Sequence, residues 1–202
     1  MTGTADRPVA TPVQVVPYDE RWPGRAAAEL AALRAALGPL VRHADHIGST
    51  AVPGMAAKDV LDLQLSVRDL DAAAAAFGAP LAALGYTRLP FERDHVPAGD
   101  DSDPALWVKR YWHRRGHPAG DVNLHVRIAG SPNERLALLF RDWLRAHPPA
   151  IAAYARFKAE LARAVVGLDV HTEIKDPVVD LVVAAAAGWA RDTAWQPHAD
   201  RG

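Results

Sequence analysis

The chain has 202 residues, of which 50% are hydrophobic and 23% are charged, and its formal net charge is −1. These values exclude a disordered chain and a large multidomain protein, because half of the residues can enter the core of one domain or of one domain with a helical addition. Since the charge shows no basic excess, nucleic acid is not an expected partner. The chain has no cysteine, which excludes disulfides, thiolate metal sites and cysteine nucleophiles.

No targeting or membrane segment is predicted. The first residues are polar and contain proline, so we expect a flexible tail over residues 1–12, no signal peptide and a cytoplasmic location. The apolar run from Leu181 to Ala190 has about half of the ~20 residues that a membrane span requires, and it predicts a buried helix. We therefore expect no membrane partner.

Apolar periodicity and turn signals predict the elements in chain order. They begin with a strand over 13–17, a helix over 23–37, a strand over 41–47, a glycine-containing loop over 48–58 and a strand over 60–67. A helix over 69–84, which Gly78 and Pro80 can break in two, precedes strands over 86–89, 106–112 and 122–128. Three helices follow, over 133–146, 150–166 and 172–190. This order predicts an α/β core over 13–130 with a mixed sheet and flanking helices, a C-terminal helical subdomain over 131–190 and a flexible tail over 191–202.

The loop after the second predicted strand carries the clearest chemical signal. A Gly-Ser pair follows the strand, and the next strand carries Asp62. The backbone at Gly48 can approach a phosphate closely, the hydroxyls of Ser49 and Thr50 can donate to its oxygens, and Asp62 can hold Mg²⁺. This layout suits a nucleotide. The alternative is a tight loop in which the two hydroxyls only satisfy turn hydrogen bonds.

Five segments of the sequence occur in an order that resembles the GrpB family. They are VVPYDERWP (15–23), HIGSTAVPGMAAKDVLDLQL (46–65), NLHV (123–126), FRDWLRAHP (140–148) and YARFK (154–158). The resemblance covers about residues 13–190. It implies the nucleotidyltransferase fold related to polymerase beta, with helices appended after the sheet. The biochemical role of the family is largely unassigned, so the resemblance predicts the fold better than the function.

The superfamily pattern implied by this resemblance has a Gly-Ser pair, two carboxylates one residue apart on a strand, and a third carboxylate on a neighbouring strand, which hold two Mg²⁺ ions. Gly48, Ser49 and Asp62 match this pattern. The second carboxylate position falls on Gln64, which is neutral and binds Mg²⁺ weakly. The neighbouring strand offers, on one face, Asp121, Asn123 and His125. The incomplete set weakens the case for two-metal nucleotidyl transfer.

Two histidines offer a different metal set. His46 and His125 together with Asp62 would suit a transition metal better than Mg²⁺ if their strands are neighbours. The alternative is that both histidines are core or rim residues with hydrogen bonds to backbone or carboxylate groups.

Several basic side chains are candidates for neutralising phosphate charge. They are Lys58, Lys109, Arg141, Lys158 and Lys175. Salt bridges to Asp or Glu are the alternative, and we favour them for Arg141 because Asp142 and Glu134 are close in sequence. Lys158 and Lys175 lie on appended helices, which form one wall of the nucleotide cleft in related transferases.

The sequence leaves three functional interpretations. The first is a metal-dependent transferase or ligase-like enzyme that uses Mg²⁺ or another divalent metal, ATP or another nucleoside triphosphate, and a small-molecule acceptor. In it, Asp62 holds the metal, Gln64 and His125 complete the site, and Ser49 contacts phosphate. The second is a non-catalytic nucleotide- or metabolite-binding module with a degenerate metal site. The third is a metal-assisted acid/base enzyme that acts without a nucleotide. The sequence specifies neither the acceptor nor the oligomeric state.

Overall fold

The computed structural model describes residues 14–164 and 168–198, and only the backbone of residues 162 and 168–175. The predicted tail over 1–12 lies outside the described residues. The helices are α1 (Trp22–Leu37), α2 (Leu70–Ala83), α3 (Pro132–Ala146), α4 (Pro148–Ala164) and α5 (Leu168–Asp192). The strands are β1 (His43–Ile47), β2 (Val60–Val67), β3 (Thr87–Leu89), β4 (Lys109–Arg114) and β5 (Asp121–Ile128).

The five strands form one mixed sheet in the order β1-β2-β5-β4-β3. The central strands β2 and β5 are parallel, and the other neighbours are antiparallel. The register places Asp62 beside Asn123 and Gln64 beside His125. Because side chains alternate along a strand, these four residues share one face of the sheet.

The two faces of the sheet are covered differently. Leucines of β2 and apolar residues of β5 pack with Leu33 of α1 and Phe77 of α2 in the main core. The other face is polar, and α3 covers only part of it, where Glu134 accepts hydrogen bonds from Gln64 and Ser66. The remainder of this face stays accessible beside the glycine-containing loop.

Local sequence explains the helix ends. α1 has proline in its first turn and ends at Gly38, whose φ of 66° favours glycine. The Asp69 carboxylate accepts hydrogen bonds from the backbone N–H groups of Asp71 and Ala72 at the start of α2. Pro80 does not break α2, which runs from Leu70 to Ala83 and buries Leu81 immediately after the proline.

Three elements differ from the sequence prediction. Residues 104–107 form a 3₁₀ turn, capped by the Asp103 carboxylate, so β4 starts at Lys109 and not at Leu106. Of the predicted strand over 13–17, the described residues 14–17 contribute only an isolated bridge between Val16 and Ala57. In α5, Ala186 is buried but Leu181 is 72% exposed, because this helix packs by one side against α3.

The C-terminal helices pack on the loop that follows β1. Val52 and Met55 of this loop form an apolar cluster with Phe140 and Leu144 of α3 and with Tyr154 of α4. This cluster fixes α4 beside the loop and thereby positions the candidate site.

Residues 193–198, which the sequence assigns to a tail, contact both α3 and the start of β1. The indole N–H of Trp195 donates to Asp142, and the His198 ring stacks on His43 with 4.0 Å between centroids. Within the described residues, no helix is both long and apolar enough to cross a membrane.

Candidate functional site

The loop after β1 lies directly against Asp62. Gly48 has a φ of 68°, which favours glycine, and a Cβ atom at this position would overlap the Asp62 carboxylate. A 3₁₀ turn, Ser49–Ala51, follows. Glycine is therefore needed both for the backbone conformation and for the close approach of the loop to Asp62.

Lys158 of α4 joins the site at this loop. Its ammonium group donates to the Ser49 hydroxyl at 2.9 Å and to the Ala56 carbonyl at 2.8 Å. The residue is only 6% exposed. The predicted phosphate residues Ser49 and Lys158 are thus brought together although 109 positions separate them in the chain.

Thr50 and His46 are turned away from the open face. Thr50 is buried, and its hydroxyl lies 2.9 Å from the Nε2 atom of His46. Burial, with the charges of Arg145 and Arg141 acting in the same direction, lowers the pKa of His46 to about 4. The imidazole is therefore neutral at pH 7, and the Thr50 hydroxyl is engaged with it on the side away from the open face.

Arg141 and Arg145 hold the backbone of the loop. Arg141 donates to the carbonyl of His46 at 3.1 Å and to Asp142, while Arg145 donates to the carbonyl of Ala51 at 2.7 Å. This agrees with the salt-bridge interpretation of Arg141 and gives both guanidinium groups a structural role.

Asp62 is half-buried and bonded to an amide. The Nδ2 group of Asn123 donates to Asp62 at 2.7 Å, and its Oδ1 atom accepts from the Tyr111 hydroxyl at 2.7 Å and from Arg115. Burial raises the pKa of Tyr111, and the negative charge of Asp62 adds to this rise. Tyr111 therefore remains a neutral hydroxyl donor at pH 7.

Gln64 is fully buried beneath α3. Its Oε1 atom accepts from Arg127, and its Nε2 group donates weakly, at 3.4 Å, to the carbonyl of Glu134. The second carboxylate position of the pattern is therefore closed to solvent. His125 is only half-buried, so unlike Gln64 it reaches the open face. Its Nδ1 atom lies 3.3 Å from the Arg127 guanidinium group.

The other predicted cations have different surroundings. Lys109 is buried and donates to Asp94 at 2.6 Å. Burial raises the pKa of Asp94, but the charges of Arg127 and Lys109 outweigh this effect and hold it below its usual range. Lys109 is thus committed to an ion pair. Lys58 is half-buried just before β2, and the side chain of Lys175 lies outside the described residues.

The structure does not assemble the predicted metal set of His46, Asp62 and His125. On β1, Ile47 is paired with Asp62, so the preceding His46 points to the opposite face of the sheet. Among the described residues, no three His, Asp or Glu side chains form a group able to hold a metal ion.

Three residues around this face were not singled out as site residues by the sequence. Asn123 was noted on the neighbouring strand, and the parallel β2–β5 register places it beside Asp62. Asp94, Tyr111 and Arg115 give no local signal, because their roles depend on contacts between separate strands and loops.

Comparison with known proteins identifies the family. The family described as "GrpB protein" matches residues 12–185. The chain belongs to the GrpB family. A solved structure, conserved protein GrpB from Enterococcus faecalis, superposes with a TM-score of 0.69 at 24% identity and covers 86% of this chain and 96% of its own. This GrpB-family chain therefore has the mixed α/β fold of that protein, which is consistent with the expected nucleotidyltransferase-like architecture.

The curated relatives carry two kinds of name. A dephospho-CoA kinase of Mycolicibacterium paratuberculosis is 40% identical over 92% of this chain and 49% of its own length. UPF0157 protein BH1888 of Halalkalibacterium halodurans is 35% identical over 78% of this chain and 73% of its own. The chain thus spans about half the length of the dephospho-CoA kinases that it matches.

Proposed function

We propose that this GrpB-family chain is a binding module for a phosphorylated small molecule, with nucleotides as the leading class. The phosphate would lie at the Gly48–Ser49 loop. The proposal rests above all on Lys158, whose buried ammonium group is directed at the Ser49 hydroxyl. A compact ammonium charge beside a hydroxyl and a glycine backbone is a combination that binds phosphate oxygens.

The carboxylate positions argue against two-metal nucleotidyl transfer. Of the three positions, only Asp62 is acidic, while Gln64 and Asn123 are amides. Gln64 is covered by α3, and Asn123 occupies one Asp62 oxygen with its N–H group. A single divalent ion between Asp62 and a bound phosphate remains compatible with this geometry, and it would strengthen binding without supplying the second metal of the transfer mechanism.

The names of the longer relatives support the ligand class without assigning a reaction. Those proteins are about twice the length of this chain, and dephospho-CoA kinase is the name of the whole protein. None of the four lysines of this chain follows a glycine, so the Gly-Lys pair of a P-loop is absent from the sequence. A module that binds a phosphorylated ligand beside a phosphoryl-transfer enzyme agrees with both observations.

Calorimetric titration with ATP and with inorganic triphosphate, each with and without Mg²⁺, tests the proposal. With one carboxylate available to a metal, we expect dissociation constants on the order of 0.1–1 mM. Lys158→Met should weaken triphosphate binding at least tenfold because it removes the charge at Ser49. Arg156→Ala, on the exposed side of the same helix, is the matched control and should leave affinity unchanged.

A Lys158→Arg variant separates charge from loop packing, since it keeps the charge and should retain part of the affinity. Full affinity in Lys158→Met, or no binding of either ligand by the wild-type chain, would contradict the proposal. Release of pyrophosphate from ATP that depends on Asp62 would instead support the transferase interpretation.

A further inference from the structure

The polar face of the sheet has an open part that continues away from the Gly48–Ser49 loop, where the phosphate is proposed to lie. Gln64 and Ser66 are fully buried beneath α3. Farther from α3, Asp62, Asn123 and Tyr111 are only half-buried. The open part therefore crosses three neighbouring strands, β2, β5 and β4.

A continuous set of contacts follows this surface. Asp62 lies against Gly48, accepts from Asn123, and Asn123 in turn accepts from the hydroxyl of Tyr111. The Tyr111 ring is 5.0 Å from that of His125. The surface thus begins at the phosphate loop and ends at aromatic side chains.

Phe91 forms the outer end of this surface. Its side chain is 58% exposed, and its ring is 5.9 Å from that of Tyr111, at 64° to it. The ammonium group of Lys109 lies over the Tyr111 ring, 5.3 Å from its centre, and so covers part of that ring. Single exposed apolar residues are common on protein surfaces. Phe91 differs from such residues because its ring contacts Tyr111, at the aromatic end of the open polar face.

The dimensions suit a nucleotide. Gly48 directly follows β1, and Tyr111 lies on β4, three strand positions away in the sheet order. Neighbouring strands are about 4.8 Å apart, so the surface extends for roughly 14 Å. An extended nucleoside triphosphate has a comparable length, with a charged group at one end and a flat ring at the other.

We propose that Phe91, together with Tyr111, whose ring it contacts, is the ring-binding part of this site, and that the ligand is a nucleotide whose base stacks on Phe91. The inference rests on the proposed function, because the phosphate must lie at Ser49 and Lys158 for the base to reach Phe91. Aromatic side chains bind bases by stacking with little dependence on base identity. The specificity expected from Phe91 is therefore for the presence of a base and not for its identity.

Competition between ATP and inorganic triphosphate tests this role. The wild-type chain should bind ATP about tenfold more tightly than triphosphate at the same Mg²⁺ concentration, which corresponds to about 1.4 kcal/mol. Phe91→Ala should remove this preference and leave triphosphate affinity unchanged. Phe91→Trp should keep the preference. Leu40→Ala, which removes a 42% exposed apolar side chain before β1, is the control and should behave as wild type.

The outcomes separate the two proposals. Equal affinity of the wild-type chain for ATP and triphosphate overturns the ring-binding role and leaves the phosphate site standing. An ATP preference that survives in Phe91→Ala also overturns it, as does a loss of triphosphate affinity in that variant. If neither ligand binds the wild-type chain, both proposals are wrong.

Discussion

Replacing Gln64 by glutamate tests whether the second carboxylate position of this fold can still serve a metal. On sequence alone, Gln64→Glu restores two same-face carboxylates and should strengthen Mg²⁺ binding. In the structure, Gln64 is fully buried and bonded to Arg127, which already pairs with Asp94. The new carboxylate would also lie beside Asp45, the buried partner of Gln64 in the β1–β2 register.

The structure therefore predicts a loss of stability and no metal site. The substitution removes the N–H donor that faces the Glu134 carbonyl and adds a buried negative charge, which we expect to cost about 1–3 kcal/mol at pH 7. With an m-value of about 2 kcal/mol per molar urea, this corresponds to a fall of roughly 0.5–1.5 M in the urea midpoint. Because burial favours the protonated acid, the defect should shrink as the pH falls toward 5.

Urea unfolding at pH 5 and pH 7.5, with and without Mg²⁺, measures these effects. Gln64→Met is the matched control, because it removes the same hydrogen bonds without a titratable group, and its defect should not depend on pH in this range. A Gln64→Glu variant as stable as wild type, with a midpoint that rises on adding Mg²⁺, would contradict the expected loss of stability and support a two-carboxylate metal site.

Two further substitutions test the loop itself. Gly48→Ala should lower the urea midpoint more than Gly54→Ala does. Both glycines have a positive φ, so a side chain at either position costs about 1–2 kcal/mol of backbone strain, but only the Cβ atom at position 48 would also overlap Asp62. Equal losses would contradict the close contact between loop and carboxylate. His46 has a lowered pKa of about 4, so its contribution to stability is present above pH 6.5 and is lost as the pH falls toward 4. His46→Gln should flatten the pH dependence of the urea midpoint over that interval, and parallel profiles for variant and wild type would show that His46 is not the group responsible.

Local signals in the sequence predict most of the elements. The predicted and observed bounds of β2 are both Val60–Val67, because apolar and polar residues alternate between a loop and a capped helix. Gly38 ends α1, and Asp69 caps α2, as the residue types require. β4 is one exception, since the apolar residues 106–108 precede the strand and the first two of them belong to a 3₁₀ turn.

The sequence predicts the candidate site less well than the elements, because tertiary packing determines which side chains reach the open face. Nothing near Gln64 in sequence indicates that α3 will cover it, and only the register of β1 shows that His46 faces away from Asp62. The contact of Lys158 with Ser49 joins two motifs of the GrpB resemblance, which indicated that both matter but not that they touch.

A crystal structure with Mn²⁺ and a non-hydrolysable nucleoside triphosphate would show directly where the phosphates and the metal bind. We expect phosphate oxygens in contact with the Ser49 hydroxyl and the Lys158 ammonium group, and at most one anomalous Mn²⁺ peak, beside Asp62. Two Mn²⁺ ions about 3.5–4 Å apart, or a triphosphate bound away from this loop, would contradict this expectation.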